Sequence, residues 1–128
     1  MLFSITRSSA LLLLALVLSL TGCAANHIWQ AAETGQYHEV ERMLNENPNW
    51  VNAKDGAGRT PLMNAVRGEH ERIVKLLLER GADPRVTGAS NANALHEARR
   101  QSNTTITKMI EQRIDELNMK ERTKPPTP

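Results

Sequence analysis

One thiol and four imidazoles are the side chains of this sequence most ready for chemistry, and their spacing decides what they can do. Cys23 is the single cysteine in 128 residues, so an internal disulfide is impossible and its sulfur is free for another use. His27, His38, His70 and His96 fall on separate segments, none in a His-Glu-x-x-His pattern and none beside a cysteine pair, which predicts no metal site. No glycine-rich loop leads into a helix to cradle phosphates, and no serine or cysteine stands at a nucleophile elbow. No catalytic residue, cofactor or small-molecule substrate is therefore expected. Glu69-His70-Glu71-Arg72 reads as a solvated turn and helix start.

The totals narrow the partners. There are 16 basic and 14 acidic residues, and Arg7 alone among them precedes Cys23, so the remainder is close to neutral and predicts no nucleic-acid surface. Aromatic residues make up 3% of the chain, too few for a base-stacking platform, and small aliphatic side chains must supply the packing.

The segment that positions Cys23 is a short basic start, Met1 to Arg7, followed by the apolar block Ala10 to Leu18. That block falls short of the ~20 residues a bilayer-spanning helix needs, so residues 1–22 read as an export signal. Its end, Leu20-Thr21-Gly22-Cys23, resembles the lipobox of bacterial lipoproteins. The resemblance implies cleavage before Cys23, acylation of its thiol and a membrane anchor. Ala24 in place of an aspartate implies the outer membrane, with the domain facing the periplasm. Residues 23–27 form a tether of less than about 20 Å at ~3.5 Å per residue.

Beyond the tether the sequence repeats itself. Residues 55–87 overlay the following segment at an offset of 33, matching Leu62 with Leu95, Ala65 with Ala98 and Ile73 with Ile106. Thr60 is placed to cap a helix that starts at Pro61, where a missing N–H costs nothing. Leu62, Ala65 and Val66 give that helix one apolar face. Ile73, Val74, Leu76, Leu77 and Leu78 give a second helix a wider one, and Gly81 can end it in the left-handed conformation. Two antiparallel helices of this kind cannot bury their faces alone and must stack on neighbours.

The run Asp55-Gly-Ala-Gly-Arg-Thr-Pro-Leu-Met-Asn-Ala65, continued by Ile73 to Asp83, resembles an ankyrin repeat. The resemblance implies an all-α solenoid of about three helix-turn-helix repeats with short hairpin loops, near 28–54, 55–87 and 88–118. Asn47-Pro48 replaces Gly-Ala-Asp in the first repeat. In the third, Asn93-Ala94-Leu95-His96 stands for Thr-Pro-Leu-His, which gives His96 a structural hydrogen-bonding role. Arg99 and Glu111 occupy positions that are apolar or small elsewhere, as suits a C-terminal cap whose outer face meets water. Ile106, Met109, Ile110, Ile114 and Leu117 predict a last helix longer than usual, and residues 119–128 read as a disordered, proline-rich tail. Trp50 is expected to pack over the first helix pair, with a partner or membrane contact through Trp29 and Trp50 as the alternative.

Ankyrin arrays bind proteins through hairpin tips and the exposed side of the first helices, which here puts the interaction surface on Glu33, Thr34, Arg59, Asn64, Arg67, Glu97, Arg100 and Gln101. Arg59, Arg67 and Arg100 form either a basic stripe that favours an acidic partner or a set of ordinary solvated side chains. The expected function is a lipid-anchored protein-protein adaptor or scaffold in the bacterial envelope. The alternative is a periplasmic inhibitor or immunity protein that neutralises an enzyme or toxin.

Overall fold

A computed structural model describes residues 27–125, so residues 1–22, read above as an export signal, and Cys23 with all of the expected tether but His27 lie outside the described residues. Three helix pairs follow one another: α1 (Ile28–Glu33) with α2 (Tyr37–Glu46), α3 (Pro61–Arg67) with α4 (Glu71–Glu79), and α5 (Ala94–Arg100) with α6 (Thr104–Arg122). A 3-10 turn, Pro48–Asn52, leaves α2, and no strand occurs among the described residues. The first helices α1, α3 and α5 pack in one layer and the second helices α2, α4 and α6 in the other.

The local signals act as their chemistry requires. The Thr60 hydroxyl accepts the Met63 N–H at 3.4 Å, with Pro61 in the first turn of α3. Asn93 and Asn103 cap α5 and α6 in the same way, accepting from the N–H groups of His96 at 2.9 Å and Ile106 at 3.0 Å. Gly81, at φ 93°, closes α4 while the Ala82 N–H donates back to the Leu77 carbonyl at 2.9 Å.

Each helix then buries one face. Ala31 and Ala32 of α1, Leu62, Ala65 and Val66 of α3, and Ala98 of α5 are all buried, and the small size of the alanines lets the first helices approach one another. Val40 and Leu44, then Ile73, Val74 and Leu77, then Ile106 and Ile110 fill the second layer. Full burial of each leucine or isoleucine is worth about 1.5–3 kcal/mol, and the inner repeat receives it from both sides. On the outer face of the third repeat Arg99 and Glu111 meet each other at 2.7 Å, which is how two charges are accommodated at an end that faces water.

Two expectations are corrected. Trp50 does not pack over the first helix pair but is 39% exposed. The 3-10 turn sends Val51 inward and leaves its neighbour outside, and Trp29 lies against the core instead, donating its indole N–H to the Ala53 carbonyl at 2.8 Å. Helix α6 continues to Arg122, so residues 119–122 are helical rather than tail. Arg85 at the end of the second repeat holds that last turn through Glu121 at 2.8 Å.

Candidate protein-binding surface

The hairpin tips of the second and third repeats are built by side-chain and backbone hydrogen bonds rather than by apolar packing. Asp55 folds the first tip: its Oδ1 accepts the N–H groups of Ala57 at 2.8 Å and Arg59 at 2.9 Å, and its Oδ2 accepts the Arg59 guanidinium at 3.0 Å. Partial burial opposes the charge on Asp55, but these donors, with the Asn64 amide, outweigh it and hold the carboxyl below its ordinary value. The second tip closes where the Gly88 N–H donates to the Ala92 carbonyl at 2.9 Å. The tips touch, since a Cβ on Gly58 would lie 2.9 Å from the Ala89 nitrogen. At Gly58 the φ of 72° and this close approach both require glycine.

Between the tips and the first helices opens a cavity of about 280 Å³. Met63, almost fully buried, and the small residues Ala57, Gly88, Ala89 and Ala92 give it apolar walls, and Arg59, Arg67, Ser90, Asn93 and Glu97 complete its lining. Three of the expected binding residues, Arg59, Arg67 and Glu97, thus converge on one concavity. Met63 was not among them. Its position in the repeat is the one where histidine is usual, and the run of small residues at both tips is the signal that space would open beside it.

The other expected residues divide. Thr34 is exposed, with its hydroxyl donating to the Gln30 carbonyl at 2.8 Å, and Glu33 is half-buried beside Arg67. Asn64 is corrected: only 1% exposed, it lies inside the stack with its amide reaching Asp55 at 3.5 Å, so it cannot meet a partner. Gln101 spends its amide N–H on the Arg67 carbonyl at 3.2 Å and serves the join between the second and third repeats. Arg59, Arg67 and Arg100 do not make a stripe of uncompensated charge. Asp55 pairs with the first at 3.0 Å, Glu33 with the second at 3.7 Å and Glu97 with the third at 2.7 Å. An acidic partner therefore meets a surface that already carries its own carboxylates.

His70 replaces His96 as the histidine that ties the stack. The His96 ring is exposed, whereas His70 is half-buried and its Nε2 lies 2.9 Å from the Glu33 carbonyl oxygen, joining the second repeat to the first. Among the described residues no cluster of histidine, cysteine and carboxylate side chains has the arrangement of a metal site.

The model of a family described as ankyrin repeats, in three copies, matches residues 12–88 and 28–121. This chain belongs to the ankyrin-repeat family. Ankyrin-repeat proteins are typically interaction modules, and protein binding is the activity that membership carries here. Among the similar ankyrin-repeat proteins are mouse ankyrin repeat and SAM domain-containing protein 6, 34% identical over 84 residues, and mouse inversin, 32% identical over 94 residues. These matches cover 65% and 73% of this chain but 10% and 9% of the relatives, so the chain spans about a tenth of their length. A chain in the solved complex of the predatory endopeptidase Bd0816 of Bdellovibrio bacteriovorus with immunity protein Bd3460 superposes with a TM-score of 0.64 at 28% identity, over 70% of this chain and 46% of that one.

Proposed function

We propose that this chain captures a partner enzyme on its tip-and-first-helix surface and blocks it, as an immunity protein does, while an acyl group on Cys23 holds it at the bacterial envelope. The cavity between Met63, the two tips and Glu97 carries the capture: a concave, mostly apolar site with a few charged side chains in its lining is where an interface concentrates its energy. Inhibition, rather than scaffolding alone, is supported by the likeness to a chain of an endopeptidase–immunity complex. An endopeptidase is accordingly the first class of enzyme to test. The lipobox-like Leu20 to Cys23 and the short tether support an anchor, and Ala24 supports an outer-membrane position facing the periplasm. A pure adaptor is the alternative, and it predicts capture without loss of the partner's activity.

The test is capture from solubilised envelope with the full acylated chain, followed by assay of the captured enzyme with and without one equivalent of the chain. Loss of turnover supports inhibition, and undiminished turnover in a stable complex supports the adaptor. Failure to retain any protein overturns both. Replacing residues 1–22 with an export signal whose cleavage needs no lipobox, together with Cys23→Ser, should release the chain into the soluble fraction without altering capture; a chain that stays in the membrane fraction refutes the anchor.

A further inference from the structure

We propose that the cavity between the second and third hairpin tips is a receptor for a tyrosine side chain projecting from a loop of the partner protein. The proposal rests on the protein-capture reading above and names the group that enters. Size comes first. A cavity of about 150 Å³ already accommodates benzene, so about 280 Å³ admits an aromatic ring with room for its substituent. The walls suit a ring: the Met63 thioether supplies a polarisable surface, and Ala57, Ala89 and Ala92 leave the volume open.

Charge then selects among rings and other occupants. The Arg59 and Arg67 guanidiniums in the lining repel a lysine or arginine, and the Glu97 carboxylate beside them repels an acidic side chain. All three are already paired, with Asp55, Glu33 and Arg100, so none needs a counter-ion from the partner. What suits both signs of charge is a neutral side chain with one hydrogen-bond donor. Glu97 is the acceptor: its side chain is only 15% exposed, and the Arg100 bond occupies Oε1 at 2.7 Å. A phenol donating to this sheltered carboxylate gains a charge-assisted hydrogen bond that a phenyl ring cannot make.

The experiment uses the full chain, solubilised, with isotope-labelled methionine and alanine methyl groups observed by NMR. The probes are N-acetyl-tyrosinamide, N-acetyl-phenylalaninamide and N-acetyl-leucinamide. Saturable shifts at the Met63 and Ala89 methyls, with the tyrosine amide binding about tenfold more tightly than the phenylalanine amide, are expected. Glu97→Gln should shrink that preference, and Ala89→Leu, a change at an exposed tip that spares the core, should abolish binding of every probe. Equal binding of the tyrosine and phenylalanine amides, equal binding of the leucine amide, shifts that never saturate, or binding that survives Ala89→Leu would each overturn the proposal. The same Ala89→Leu chain separates the two readings. If it still captures the partner at full strength, the pocket's role is overturned while protein capture stands; if the unaltered chain binds the tyrosine amide but retains no protein, capture is overturned and the pocket stands.

Discussion

Replacing His70 with alanine removes a side chain that joins the first two repeats from a sequence separation of 37 residues. Its Nε2 lies 2.9 Å from the Glu33 carbonyl oxygen, one of the carbonyls that the end of α1 leaves without an intrahelical partner. Losing one such hydrogen bond costs about 1 kcal/mol, and stranding a half-buried carbonyl adds a comparable amount, so H70A should destabilise by about 2 kcal/mol. For a domain of about 100 residues that corresponds to a fall in melting temperature of roughly 10 °C. The ring also occupies space that two glycines leave open. A Cβ on Gly35 would lie 2.7 Å from the ring, whose atoms are its three nearest neighbours, whereas a Cβ on Gly68 would overlap both the ring and the Glu33 carbonyl oxygen.

These contacts set up a double-mutant cycle in urea, read as midpoints at constant slope. In the H70A background the cost of G35A should drop to the strain of its φ of 81°, about 1–2 kcal/mol. The cost of G68A should persist, because the backbone oxygen remains. An H70A midpoint equal to that of the unaltered chain, or a G35A cost that is the same in both backgrounds, would refute the assignment of His70 as the tie.

Two further outcomes are expected. Glu69 sits at φ 58°, a left-handed position that glycine adopts without strain, so E69G should raise the melting temperature by a few degrees, the release of about 1 kcal/mol outweighing glycine's extra unfolded-state entropy; a fall would refute it. Asp55 and Asp83 both titrate below their ordinary value of 3.8, Asp55 through the donors that overcome its burial and Asp83 chiefly through its hydrogen bond with Arg85. A depressed folded-state pKa stabilises above the unfolded value and ceases to do so as pH falls through the folded one, so thermal stability should be level from about pH 7 to 5 and fall below about 4. The D55N chain should show a shallower acid limb, and an unchanged limb would remove Asp55 from the account.

What the sequence determined by itself was everything that depends on near neighbours along the chain. The offset of 33 residues, the cap at Thr60 with Pro61 behind it, the left-handed stop at Gly81 and the apolar faces of α3 and α4 are all written within one repeat, where helical period and turn chemistry act over a few residues. The mutual neutralisation of Arg99 and Glu111 was half legible, because their out-of-place charges marked an end that faces water.

The partners chosen across repeats were decided only by stacking. Glu33 reaches Arg67 over 34 residues and His70 reaches the Glu33 carbonyl over 37, and no local pattern says which side chain of the next repeat will lie opposite. The same lateral packing turned Asn64 inward, left Trp50 outside and brought Met63 beneath two tips of small residues. A periodic sequence specifies the repeat because local geometry recurs, but the surface it presents follows from how adjacent repeats settle against each other, and that depends on contacts far apart in sequence.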